Sequence, residues 1–173
     1  MRSSFECLLA VLLLAGCDPD AASTAPAEPA AVEPAPLPSL EGVTPLRAQD
    51  PPLASALEGN VGVIDLWATW CEPCRASIPK VVRLSEAYAG QGLVVAGIHV
   101  GAGVETAERY AADAGISYAL YADEAFAFSD RVGSRSVPML LVVDRDGTIV
   151  HRTAELDAET LAIVRQLVER SSS

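Results

Sequence analysis

From about residue 46 onward the chain alternates short apolar runs with helical stripes. Residues 60–68 (NVGVIDLWA) form a nearly continuous apolar run behind Gly59, the pattern of a strand buried on both faces. A helix is expected over residues 72–89, where Ile78, Val81, Val82, Leu84 and Tyr88 recur at helical spacing and Pro79 predicts a kink. Residues 93–100 read as a second strand, and residues 104–114 as a second helix ended by Gly115. Residues 117–121 and 124–132 predict a short strand and a short helix. Residues 139–144 and 148–152 form a hairpin across Asp146-Gly147, a strong turn signal. Asp157 then caps a last helix, whose stripe of Leu161, Val164, Leu167 and Val168 should pack on the sheet. This order of elements predicts an α/β domain over residues 46–173, with a central mixed β-sheet flanked by helices.

The amino terminus follows another pattern. MRSSFECLLAVLLLAGC has one positive charge, Arg2, and then an apolar run over residues 7–15, far short of the roughly 20 residues that span a bilayer. Residues 1–16 therefore read as an export signal. Leu14-Ala15-Gly16-Cys17 resembles the lipobox of bacterial lipoproteins, which implies cleavage before Cys17 and acylation of that cysteine. Asp18 resembles the signal that retains such lipoproteins at the inner membrane, facing the periplasm, in Gram-negative bacteria. Residues 18–45 are rich in Pro and Ala, carry acids at Asp18, Asp20, Glu28, Glu33 and Glu41, and contain no Lys or Arg. With Cys17 they read as an anchor and linker, residues 17–45. Fully extended, about 28 residues at about 3.1 Å each would reach about 85 Å, and the negative charge would hold the domain off anionic lipid.

Composition narrows the function classes. Half of the 173 residues are hydrophobic, too apolar for a disordered chain. The formal net charge is −11, which excludes a nucleic-acid binder built on clustered Lys and Arg.

The four cysteines then divide by position. Cys7 leaves with the signal and Cys17 takes lipid, so the domain retains Cys71 and Cys74, set three apart in WATWCEPCRASIP. A four-thiolate zinc site is excluded, and His99 and His151 lack the spacing of a zinc finger. A structural bridge would close too short a loop to add much stability. A redox-active dithiol in an oxidising compartment is the leading reading, with metal binding by the same two thiolates, as in a Cu(I) metallochaperone, as the alternative. No metal or other cofactor is expected beyond the cysteine pair itself.

WATWCEPC after an apolar strand, SVP about 65 residues later and then LLVVDRDG resemble the thioredoxin fold. Specifically, they resemble the TlpA/ResA-type thiol-disulfide oxidoreductases of bacterial envelopes. Residues 104–121 resemble the extra helix and strand inserted in that subfamily. The resemblance implies disulfide exchange with exported proteins, electrons from a membrane thiol donor, and a role as a reductant, cytochrome c maturation being one variant. At a helix N-terminus Cys71 should ionise readily and be the exposed nucleophile. Cys74 would be more buried and resolve the mixed disulfide. Pro73 suits the first helical turn. Glu72 places a carboxylate beside the thiolate, opposing its ionisation and making the pair more reducing. Asp65 is an acid within an apolar strand, where the resemblance implies a proton acceptor for Cys74; the alternative is a strand-end carboxylate in solvent. Val137-Pro138 resembles the cis-proline loop that pairs with substrate backbone. Trp67 and Trp70 read as packing residues, with Trp70 flanking the cysteines as a fluorescent reporter, and His99 and His151 read as structural. Met139 and Ser77 depart from the family pattern, which usually has Thr after the loop proline and often an acid three residues after the second cysteine. A peroxidase is disfavoured, because Thr69 precedes Cys71 by two positions rather than three.

Overall fold

The computed structural model describes residues 33–170. The expected signal, the lipid-bearing Cys17 and most of the linker lie outside the described residues. In chain order the elements are β1 (Ala35–Pro36), β2 (Thr44–Pro45), α1 (Leu53–Leu57), β3 (Val61–Trp67), α2 (Glu72–Ala87), β4 (Leu93–Val100), α3 (Val104–Asp113), β5 (Ala119–Asp123), α4 (Ala127–Arg131), β6 (Met139–Val143), β7 (Thr148–Thr153) and α5 (Ala158–Glu169).

The strands form one mixed sheet in the order β1-β7-β6-β3-β4-β5-β2. Strand β3 lies at its centre, parallel to β4 on one side and antiparallel to β6 on the other. Every residue of β3 is buried, as a run of VGVI and LW without a polar alternation requires. The remaining strands extend this arrangement: β5 runs parallel to β4, and β7 antiparallel to β6. The β6–β7 turn closes through Asp144 and Thr148, with Gly147 at φ +81°, a left-handed conformation that favours glycine.

The helices follow from their caps and apolar faces. Cys71 caps α2 and Asp157 caps α5, each side chain accepting a backbone N–H of the first turn. In α2, Ile78, Val81 and Leu84 are buried, and the helix runs through Pro79 without ending. In α5 the buried face is Thr160, Val164, Leu167 and Val168, whereas Leu161, expected in the packed stripe, is 42% exposed. Leu161 lies at the margin of the arc centred on Val164. Thr160 takes the inner position because its hydroxyl donates to Asp157 and lies 3.2 Å from a ring nitrogen of His151.

The linker expected to run to residue 45 ends earlier. Ala35 and Pro36 pair with β7 at one edge of the sheet, and Thr44 and Pro45 pair with β5 at the other. Between them, the Arg131 guanidinium of α4 donates to the carbonyls of Ser39 and Glu41. Prolines tolerated on edge strands, where one backbone face needs no donor, give this segment the composition of a linker. Helix α1 had no sequence signal of its own beyond Leu53 and Leu57, which are both buried.

Gly97 of β4 faces Asp65 in the register. A Cβ there would lie 2.8 Å from Leu120, 2.9 Å from the Tyr118 ring and 3.1 Å from the Trp67 indole nitrogen. Gly97→Ala should therefore destabilise the fold by about 1–3 kcal/mol, read as a lower urea midpoint. A midpoint equal to that of the unaltered protein would show that the ring and indole yield freely.

Candidate active site

After β3 the chain turns back on itself, the Cys71 N–H donating to the Ala68 carbonyl at 3.1 Å. Cys71 has an extended backbone and its sulfur accepts the Cys74 N–H at 3.2 Å. The first turn of α2 thus points its free N–H groups and the positive end of the helix dipole at this sulfur. Pro73, in the same turn, lacks an N–H that would have had no helical partner. Cys71 and Cys74 are joined in a disulfide, with their Cα atoms 5.3 Å apart.

Two expectations about exposure are corrected here. Cys71 is only 3% exposed, against 0% for Cys74, so the expected exposed nucleophile is nearly covered. Its sulfur is bonded to Cys74 and caps the helix, which turns it inward rather than toward solvent. Trp70, expected to pack, is instead 70% exposed; it precedes the cap on a turn that leaves the core. Glu72 stands out in solvent and pairs with Arg75 at 3.5 Å. An exposed pair of this kind contributes little stability, but it draws the carboxylate toward a cation one turn along the helix. Ser77 is buried and donates to the Cys74 carbonyl at 3.0 Å.

Asp65 sits in mid-strand and is fully buried, between Gly97 and Leu140 in the register, so it does not meet solvent at a strand end. Burial pushes its carboxyl up from the ordinary 3.8 to about 7, opposed by a hydrogen bond from the Tyr118 hydroxyl to Oδ2 at 3.4 Å. Its other oxygen, Oδ1, has no partner among the described residues. Trp67 and His99 are register neighbours on the same side of the sheet. Their rings meet edge to face with centroids 5.1 Å apart, and the Trp67 ring lies 5.6 Å from that of Tyr110. Among the described residues the Trp67 indole N–H and both His99 ring nitrogens are also buried without partners, and burial pushes His99 down from its usual range. Tyr118 was missed in the sequence. Its only signal was the glycine opposite Asp65, which leaves room for an aromatic ring.

The Val137–Pro138 peptide bond is cis and leads into β6, where Met139 is the register partner of Leu66. Two hollows flank this loop. A cleft of about 440 Å³ is lined by Trp70, Phe126, Arg135 and Val137 among others. A smaller one of about 150 Å³ is lined by Pro73, Ser77, Lys80, Pro138 and Leu156. The residues flanking the cysteines and the loop residues therefore meet along one ridge. Phe126, which the sequence reading also missed, is exposed and holds a left-handed φ of 58°. Among the described residues no three His, Cys, Asp or Glu side chains gather as a metal-holding group.

A model of the AhpC/TSA family matches residues 36–152. Protein DipZ of Mycobacterium tuberculosis is 33% identical over 141 residues, covering 76% of this chain and 20% of DipZ. The thiol-disulfide oxidoreductase ResA of Halalkalibacterium halodurans is 27% identical over 94 residues, 54% of this chain and 53% of ResA. The chain thus spans a fifth to about half of the length of these relatives. The crystal structure of a thiol:disulfide interchange protein of the thioredoxin family from Chlorobium tepidum superposes with a TM-score of 0.66 at 26% identity, covering 79% of this chain and 98% of that one.

The raised Asp65 carboxyl has a consequence for stability. Unfolded, Asp65 ionises near 3.8; folded, near 7. The folded state therefore holds the extra proton between these values. The stability this gives is complete below about pH 4, is lost as pH rises to about 7, and stays lost above. Over that interval the loss is on the order of 4 kcal/mol. Asp65→Asn should flatten this slope and exceed the unaltered protein in urea stability at pH 8. An Asn variant that keeps the full slope between pH 4 and 8 would place its origin elsewhere.

Proposed function

The chain belongs to the AhpC/TSA family and has the thioredoxin fold, and from that premise we propose that it is a thiol-disulfide oxidoreductase that reduces disulfides in exported proteins. The observation that carries this reading is the Cys71–Cys74 disulfide at the start of α2, set beside the cis Val137–Pro138 loop. In the reduced state Cys71, favoured as a thiolate by the helix N-terminus, attacks a substrate disulfide and forms a mixed disulfide. One substrate sulfur leaves as a thiolate. Cys74 then gives its proton to Asp65, and its sulfur attacks the Cys71 sulfur. The Cys71–substrate bond breaks, the second substrate sulfur leaves with the electron pair, and the Cys71–Cys74 bond forms. Two electrons have passed to the substrate, and a membrane thiol donor returns them.

Glu72 and Pro73 occupy the two positions between the cysteines, with no Lys, Arg or His there. Carboxylates at positions 72 and 65 disfavour the thiolate, and destabilising the reduced form makes the pair a better reductant. The loop backbone at Val137 and the ridge between the two hollows would hold an extended substrate segment beside the cysteines. Acylated Cys17 would anchor the domain to the inner membrane, facing the periplasm. The absence of a Thr-x-x-Cys arrangement continues to disfavour a peroxidase.

The test is the reduction potential of the pair, followed through Trp70 fluorescence in glutathione or dithiothreitol buffers. A value near or below about −250 mV supports the reductant; a value near about −120 mV would make the protein an oxidant and reverse the proposed direction. In envelope extracts, Cys74→Ser should accumulate mixed disulfides through Cys71, and Cys71→Ser should accumulate none. Equal trapping by both variants would remove the assigned order of attack.

A further inference from the structure

The polar groups buried around Asp65 are divided unequally. Asp65 has two carboxyl oxygens: Oδ2 accepts from Tyr118, and Oδ1 has no partner among the described residues. We propose that Tyr118 is a positioning residue for the resolving step, its hydroxyl holding one oxygen of Asp65 and leaving the other free to take the Cys74 proton. The inference rests on the reading of Asp65 as that proton acceptor.

Three observations build this arrangement. First, Asp65 and Gly97 are register partners on β3 and β4, and the missing Cβ at Gly97 is what admits the Tyr118 ring, whose edge would lie 2.9 Å from it. Second, Tyr118 is anchored from behind, its carbonyl accepting from the Arg47 guanidinium at 2.6 Å. Third, the hydroxyl is a donor throughout: burial first, and then the charge of Asp65, hold its proton on well above the usual range. A buried carboxyl with no donor would be driven further toward the protonated form, and a protonated Asp65 cannot take the Cys74 proton. Tyr118 offsets part of the burial effect, so Asp65 titrates near neutrality.

The other titratable groups on this side leave the assignment to Tyr118. From β4 comes His99, whose pKa burial lowers. From α3 comes Tyr110, stacked against Trp67. From α2 come Cys74 and Arg75, the latter 5.8 Å above the Tyr110 ring and paired with Glu72. Arg47 pairs with Asp50 at 3.4 Å. No Lys or Arg among the described residues forms an ion pair with Asp65.

The step balances simply. The Cys74 S–H bond breaks and its proton passes to Oδ1, the sulfur displaces the substrate sulfur from Cys71, and the departing thiolate is protonated by water.

The experiment compares the unaltered protein with Tyr118→Phe, which keeps the ring over Gly97 and removes only the hydroxyl. Two quantities are followed against pH: the Asp65 carboxyl in the reduced protein, by carbon-13 NMR of labelled aspartate, and the rate of glutathione release from the Cys71–glutathione mixed disulfide. Both midpoints should rise together by about one pH unit, slowing release about fivefold at pH 7 and recovering in alkali. Uniform replacement of tyrosine by 3-fluorotyrosine, a stronger donor that preserves the packing, should move both midpoints down. If the Asp65 midpoint stays put in both proteins, or release slows equally at every pH, Tyr118 only packs and the inference is overturned. If the carboxyl midpoint moves while release keeps its original profile, Asp65 is not the acceptor. That outcome overturns the reading of Asp65, and the inference with it.

Discussion

Strand β3 has no solvent face, and the rest of the molecule is arranged around that constraint. A strand buried on both faces must have both edges paired, because unpaired backbone polar groups in the interior are costly. β4 and β6 supply those edges, one parallel and one antiparallel. Helices must then cover both faces, and the chain leaving β3 can only turn sharply into one of them. Cys71 is the residue at that turn. Its place at a helix N-terminus, with N–H groups directed at its sulfur, is thus a consequence of burying the preceding seven residues.

The same constraint makes Asp65 unusual. An acid on a half-exposed strand would alternate outward and titrate normally. Here both faces are interior, so the carboxyl carries the cost of burial whatever its orientation, and its pKa rises. The sulfur pair therefore sits between opposing electrostatic influences. In the proposed reaction the helix end favours a thiolate at Cys71, whereas carboxylates at positions 65 and 72 would oppose it. Glu72 is screened by water and drawn toward Arg75, which weakens its effect on the sulfurs.

Much of this was legible because it depends on local patterns. The apolar run of β3, the Asp146-Gly147 turn, the Asp157 cap and the Cys-Glu-Pro-Cys junction each carry their reason within a few residues. What escaped depends on distant partners. Residues 35–45 look like a linker until β7 and β5 supply strands to pair with, and edge prolines keep that composition compatible with both fates. Leu161 and Thr160 differ only in which lies nearer the centre of a helical arc, and a neighbour from β7 decides it. The covered Cys71 and exposed Trp70 exchange their expected places because the disulfide draws one sulfur inward while the turn throws the indole out.

The inserted segment shows where such distant dependence concentrates. α3 and β5 could be taken as an addition to the outside of a finished domain. Yet α3 places Tyr110 against Trp67, and the approach to β5 places Tyr118 against Asp65. Ala107 and Ala111 of α3 and Leu120 of β5 are buried in the same core. Without these residues the side of β3 that carries Asp65 and Trp67 would lose much of its cover, and Asp65 would meet water. The raised carboxyl is therefore a property of the sheet and the insertion together. Gly97 is the point where they meet: any side chain there would take the space through which Tyr118 reaches the strand. A change confined to the insertion can thus alter the burial and hydrogen bonding of Asp65 without touching either sulfur.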